Sequence, residues 1–299
     1  MSFQIGFVLL THANVPQIRR LVGTLDRMFN EPPIVCHHDF AKCDLSRRAF
    51  ASNFTFVEPH ERTAWGRFSI VEATLRGIAA LYARPNPPDW FVLLSAADYP
   101  IKSARTILDE LSASPFDACV ELREVSDAQR RVKAERLNFR RYRTFRFHVP
   151  ALLCGETPQR FFTLEHPRLT RHFTPFSNDF RCFTGSQWFC ANARATDYLL
   201  RWHRESRALA DHYLRQEKYR PICPDESYIQ TILGNAPDLR LGKDPLRYID
   251  WSAGEAHPRT LTMADWPALT TAPAHFARKF DPAVDEGVLD RLDQFVVGR

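Results

Sequence analysis

Near its C-terminus the chain reads Phe276-Ala277-Arg278-Lys279-Phe280-Asp281, and twenty residues before Lys279 stands Arg259, in His257-Pro258-Arg259. Two cations on short loops, late in a chain of α/β pattern, suit a diphosphate held without a metal. Arg can bind it bidentately, and Lys acts as a point charge. Aimed at a leaving diphosphate, such fixed charge would stabilise the negative charge that grows as the bond breaks. Taken alone, the same pair reads as ordinary surface charge.

A second candidate is Glu226, in Cys223-Pro224-Asp225-Glu226-Ser227. Pro at the first helical position with acids in the first turn is a good helix start, which explains the tripeptide by itself. As chemistry, Glu226 can serve as a general base. An alcohol attacking an anomeric carbon becomes acidic, and a carboxylate within about 3 Å can take its proton. A third is Asp98, in Ser95-Ala96-Ala97-Asp98-Tyr99-Pro100. It either faces a ligand at a strand end or caps the turn before Pro100. With Ala at position 96 the carboxylate stands alone, a poor dedicated site for a hard cation that wants several oxygens.

The elements that must carry these residues alternate in the first half. Phe3–Leu10, Ile34–Cys36, Phe54–Val57 and Trp90–Leu94 are apolar runs of strand length. Asn14 can cap a helix whose buried face is Val15, Ile18, Leu21, Val22, Leu25 and Met28, and a second helix starts at Ser69. This order predicts a mostly parallel sheet covered by helices, with ligands outside the carboxyl ends of the strands. Thr11-His12, His37-His38-Asp39 and Ser95–Asp98 fall at those ends. Later, helices are expected near Ala193–Arg204, over Asp225–Leu233 with Gly234 closing it, and over Asp285–Val297.

Between Arg130 and Arg146 the chain carries eight Lys or Arg and one acid, Glu135, interleaved with Phe139, Tyr142 and Phe145. That composition suits a nucleic-acid surface, a solvated helix face or a groove for an anionic glycan. The chain has 299 residues, 44% of them hydrophobic and 25% charged, which excludes a disordered chain. No apolar run reaches the roughly 18 residues of a membrane span, and Met1–Ile5 does not open a signal peptide. Seven cysteines, at 36, 43, 119, 154, 182, 190 and 223, form no CxxC pair. They are expected to be reduced and mostly buried, as in a cytoplasmic protein.

Several of these motifs stand in the order of one family. Leu10-Thr11-His12, His37-His38-Asp39, Trp65, Trp90–Pro100 and Thr184-Gly185-Ser186-Gln187-Trp188-Phe189 are joined by Pro224-Asp225-Glu226, Ile249-Asp250-Trp251, His257-Pro258-Arg259 and Phe276–Phe280. Together they make the chain resemble the core-2/I-branching β-1,6-N-acetylglucosaminyltransferases of glycosyltransferase family 14. That family also holds peptide O-xylosyltransferases and plant glucuronosyltransferases. The resemblance is weakest from about 123 to 181. It implies a GT-A-type, Rossmann-like α/β fold and an inverting, metal-independent glycosyltransferase with a UDP-sugar donor and a saccharide or other hydroxyl acceptor.

By that resemblance Glu226 is the catalytic base, and Thr11, His12, Asp39, Arg259 and Lys279 bind the nucleotide and its diphosphate. Ser95 and Asp98 fall at the donor-sugar strand end, and Glu121 and Trp188 on the acceptor side. No cofactor or metal is implied. The expected organisation is one catalytic domain over 1–299: a nucleotide-binding half to about 122, an acceptor-side insert over 123–181, and a catalytic half over 182–299. The eukaryotic members' membrane anchor and stem have no counterpart here, so a bare cytoplasmic catalytic domain is expected. The last stretch, from Trp251 to Lys279, is more similar to the xylosyl- and glucuronosyltransferase branches. GlcNAc is the first expectation for the sugar and xylose the second. The alternatives are sugar transfer to a modified nucleic-acid base through Arg130–Arg146, and a non-catalytic lectin-like protein on the same fold.

Overall fold

The computed structural model describes residues 3–133, 135–148, 161–255 and 257–298. Its first half runs β1 (Ile5–Thr11), α1 (Val15–Phe29), β2 (Ile34–His38), β3 (Phe54–Phe56), α2 (Ser69–Tyr82), β4 (Trp90–Ser95), β5 (Asp98–Pro100), α3 (Ala104–Ser112), β6 (Ala118–Cys119) and β7 (Arg123–Glu124). The middle holds α4 (Arg136–Tyr142), β8 (Phe145–His148), β9 (Phe161–Leu164) and α5 (Pro167–Thr170). Then come β10 (Phe183–Thr184), β11 (Cys190–Asn192), α6 (Ala193–Glu205), α7 (Ala208–Glu217), α8 (Tyr228–Gly234), β12 (Leu241–Gly242), β13 (Arg247–Ile249), α9 (Trp266–Thr271), β14 (Phe276–Arg278) and α10 (Glu286–Val297).

The main sheet has the order β12-β6-β11-β4-β1-β2-β3. Strands β4, β1, β2 and β3 pair in parallel, and β11 is antiparallel to both of its neighbours. The expected Rossmann-like, mostly parallel sheet flanked by helices is therefore the observed one, with β11 the single reversed strand. Strand β1 is apolar up to Leu10 because both its faces are covered. Phe7 and Leu9 pack in a layer with Ile18, Leu21 and Leu25 of α1 and Leu289 of α10, while Val8 packs with Val71, Leu75 and Ile78 of α2. The α1 start is as expected: the Asn14 side chain accepts from the Gln17 amide at 3.4 Å, and Asn14 itself has φ 61°.

A smaller sheet, β13-β14-β5, positions the C-terminal cations. β14 runs antiparallel to β5, with Arg278 opposite Asp98, and parallel to β13, with Arg278 opposite Ile249. The last strand thus lies just beyond the carboxyl end of β4. Among the described residues the cysteines are free, all buried except the partly exposed Cys43, and no helix is long and apolar enough to cross a membrane. Cys154 and residues 149–160 of the expected insert lie outside the described residues.

Two buried histidines make the fold acid-sensitive. His37 Nε2 accepts from the Glu61 amide at 2.8 Å, and His212 Nε2 donates to the Tyr142 carbonyl at 2.7 Å. Burial pushes both pKa values down, each to about 4. Between there and the unfolded value near 6.5, the unfolded chain binds the extra protons, so their contribution to stability is lost as pH falls through that window. Asp225, raised to about 7 chiefly by burial, works in the opposite sense and partly offsets them. Urea unfolding at pH 4.5 and 6.5 should show lower stability at the acid end, with a smaller difference in His212→Gln.

Candidate active site

A cleft of about 1050 Å³ opens at the carboxyl ends of β1 and β4. Here the chain order of the sheet switches direction, the position where open α/β sheets bind ligands. Of the residues singled out above, Thr11, His12, Ser95, Glu121, Trp188, Glu226 and Lys279 line it; Asp39, Asp98 and Arg259 do not.

Those three are held by local partners. Asp39 is buried, and its Oδ2 accepts from both the amide and the hydroxyl of Thr63 at 2.9 Å, tying the 60s loop to the end of β2. Asp98 is fully buried. Its Oδ2 accepts from the Ser95 amide at 2.8 Å and hydroxyl at 2.5 Å, and its Oδ1 lies 3.2 Å from Arg247 Nη1. Arg259 donates through Nε and Nη2 to Asp250, at 2.9 and 2.5 Å, and is also paired with Asp265. It therefore braces the 250–265 loop and is not a free cation facing the cleft. Thr11 reaches the cleft, yet its hydroxyl is shared with His38 Nδ1 at 2.8 Å.

Lys279 differs from Arg259. It lines the cleft, is half-buried, and has no ion-pair partner among the described residues. Arg278 beside it lies over the Trp188 ring, 4.3 Å from the centroid, and 3.7 Å from Asp98 Oδ2. Arg247 and Arg278 share the one carboxylate of Asp98, so the floor of the cleft keeps an excess of positive charge.

Glu226 sits in a single 3-10 turn, Pro224–Glu226, and not inside a helix running on from Asp225. Ser227, at φ −148°, breaks the continuation. Its buried hydroxyl donates to the Phe183 carbonyl at 2.6 Å, a bond that helix geometry from Asp225 would forfeit. Gly234 does not close the helix either; it is the last helical residue, with Asn235 as the cap. A Cβ there would meet the Phe183 ring at 2.6 Å.

The turn is anchored by the 184–186 segment beside it. The Glu226 carbonyl accepts from the Gly185 amide and the Thr184 hydroxyl, both at 2.9 Å, and the Ser186 amide donates to Glu121 Oε2 at 2.9 Å. The 184–186 segment is thus clamped between the two carboxylate residues. Only glycine fits at its centre, since a Cβ on Gly185 would lie 1.9 Å from the Glu121 carbonyl oxygen. Gly185→Ala should cost about 3 kcal/mol of stability, the upper part of the overpacking range, and lower turnover as well. Thermal unfolding read alongside activity checks this.

The Glu226 carboxylate is 44% exposed and its Oε2 lies 3.4 Å from Arg141 Nη1. Burial raises its pKa, Arg141 and then Arg123 oppose the rise, and Glu121 adds to it. A carboxylate with a raised pKa facing a ligand cleft has the character of a general base. Three further cleft residues were given no role by the sequence, although Asp225 and Trp251 stand inside quoted motifs. Asp225, next to Glu226, has an enclosed Oδ1 without a hydrogen-bond partner. Gln17 is buried on the cleft wall, with neither of its side-chain amide atoms bonded. Trp251 lines the cleft and is 54% exposed. The Asp225-Glu226 doublet and the spacing of Gln17 from Asn14 were visible signals for the first two.

Half of the basic segment is engaged in ion pairs within the fold. Arg136 and Arg140 pair with Glu165, Arg141 with Glu226, and Arg143 with Asp127, while Arg146 is buried.

A sequence model of the Core-2/I-Branching enzyme family matches residues 5–272. The beta-glucuronosyltransferase GlcAT14A of Arabidopsis thaliana is 26% identical over 306 residues, covering all of this chain and 62% of the relative. Xylosyltransferase 1 of Homo sapiens is 24% identical over 327 residues, covering 99% of this chain and 30% of the relative. The chain thus spans less than two thirds of the length of these curated relatives. Among solved structures, the galactosyltransferase LgtC in complex with donor and acceptor sugar analogs aligns over 98% of this chain and 95% of its own, with 10% identity and a TM-score of 0.41. With its match running from the first strand to the end of α9, the chain belongs to the Core-2/I-branching enzyme family.

Proposed function

We propose that the protein is an inverting glycosyltransferase that moves a sugar from a UDP-sugar to a hydroxyl of a saccharide-type acceptor without a metal ion. The observation that carries this reading is the pairing of a half-exposed carboxylate of raised pKa, Glu226, with an ammonium that has no counter-ion among the described residues, Lys279, in one cleft at the switch point of the sheet. Glu226 takes the proton of the acceptor hydroxyl as that oxygen bonds to the anomeric carbon from the face opposite UDP. The bond to UDP breaks on the other side, and Lys279 stabilises the charge left on the diphosphate. Asp98 is committed to Ser95 and Arg247, so it has little to offer a divalent cation at this strand end. The family relatives named above support the transferase class, and their names point to glucuronosyl and xylosyl donors beside GlcNAc.

The test is a thermal-shift panel with UDP, UDP-GlcNAc, UDP-xylose and UDP-glucuronic acid, followed by UDP release with the stabilising donor. A ligand at 100 times its Kd stabilises the folded chain by about 2.7 kcal/mol. At least one donor should raise the melting temperature and turn over equally well in excess EDTA. No shift with UDP or any of the donors sinks the reading. Activity lost in EDTA and restored by manganese removes its metal-free part.

A further inference from the structure

Three arginines of the middle segment, Arg136, Arg140 and Arg146, and Arg220 after α7 converge on little negative charge. Arg140 Nε donates to Glu165 at 2.7 Å, and Arg136 reaches the same carboxylate at 3.2 Å. Arg146 and Arg220 both donate to the Arg140 carbonyl, at 2.6 and 3.1 Å. Arg146 is only 2% exposed, and its remaining contact is neutral, Gln216 Oε1 at 3.0 Å. No ion pair of Arg146 or Arg220 occurs among the described residues. Among the described residues Glu165 is thus one carboxylate among four guanidinium groups, and Arg220 Nε is enclosed without an acceptor.

Burying an arginine without a counter-ion is costly unless an anion completes the site. Like-charge repulsion adds to the cost. Burial, and then Arg220 and Arg140, lower the Arg146 pKa to about 10 against the opposing effect of Glu165. Guanidinium groups present paired N–H donors that match the oxygens of phosphate and sulfate.

We propose that Arg140, Arg146 and Arg220 form a binding site for a tetrahedral oxyanion of the phosphate or sulfate type. None of the three lines the cleft, so the site is distinct from that of the leaving diphosphate. It is nevertheless linked to it, because Arg141, the next residue after Arg140, is the one that contacts Glu226. The anion is either a free ion or a phosphate or sulfate ester on the acceptor. The site does not depend on the reading of the cleft given above.

Melting of the full chain in inorganic phosphate, compared with sodium chloride of equal ionic strength, tests the site. The expected result is a saturable rise with phosphate that is lost in Arg220→Gln and in Arg140→Gln and kept in Lys279→Met. Two variants guard against a fault peculiar to one of them. Loss of the rise in Lys279→Met with its retention in Arg220→Gln would assign the anion to the cleft and overturn the proposal. So would an equal effect of chloride. Transfer to a phosphorylated saccharide and to its neutral parent then separates the sources. A preference for the phosphorylated acceptor that disappears in Arg220→Gln places the anion on the acceptor. Equal transfer to both, with the phosphate-induced rise intact, assigns the site to the free ion.

Discussion

Glu226→Gln should lower transfer by about 10²–10⁴-fold, the usual contribution of a positioned general base, while leaving UDP-sugar binding intact. The substitution keeps the shape of the side chain and removes its basicity. The Gly185 and Thr184 bonds go to the Glu226 carbonyl, so the main-chain anchoring survives the change. Calorimetric titration with UDP beside a turnover assay separates the two effects, and normal turnover in the variant would end the assignment. The pH profile adds a signature. The base must be ionised, so kcat/KM falls as pH drops through the Glu226 pKa, which burial and Glu121 raise and Arg141 and Arg123 hold down. Asp225 is the further charge at this turn. Arg141→Gln should shift the acid limb of the profile to higher pH, and Arg141→Lys should return it. Asp225 is the weaker choice of base, because its Oδ1 is enclosed whereas the Glu226 carboxylate is 44% exposed to the cleft.

The sheet was legible because its information is local. The runs at Ile5–Leu10, Ile34–Cys36 and Trp90–Leu94 are apolar on both faces, and Asn14 is followed by a clean helical period, so each element declares itself within its own residues. The cleft was legible for the same reason, since strand ends mark it. What could not be read depends on distant partners. The break at Ser227 is made by the Phe183 carbonyl, 44 residues earlier. The sense of β11 is set by its place between β4 and β6. Helix α7 hides because its buried face mixes Leu209 and Tyr213 with His212 and Gln216, whose polar atoms find use only in the fold. Arg259 and Lys279 look alike as residue types, and only the loop that brings Asp250 and Asp265 around Arg259 separates a brace from a free charge.

That separation gives the second large effect. Lys279→Met should lower transfer by about 10²–10³-fold, the scale on which loss of one preorganised electrostatic group weakens a transition state. It should also weaken UDP binding, because the charge it removes lines the cleft without an ion-pair partner among the described residues. Its own fold should change little, since the Lys279 carbonyl, which accepts from the Leu261 amide at 2.9 Å, is untouched. Arg259→Met is expected to behave in the opposite way. Two ion pairs are lost from the 250–265 loop, so melting temperature falls, and turnover follows only as far as that loop shifts the cleft. Comparing kcat, UDP affinity and melting temperature for the two variants decides between the roles. A large loss of transfer with little change in melting in Arg259→Met, and a silent Lys279→Met, would transfer the leaving-group charge to Arg259. Manganese should restore nothing to Lys279→Met, because the strand-end carboxylate that could bind it, Asp98, already neutralises Arg247 and is shared with Arg278. Rescue by manganese would mean that Asp98 can leave these arginines, and that the cleft uses a metal after all.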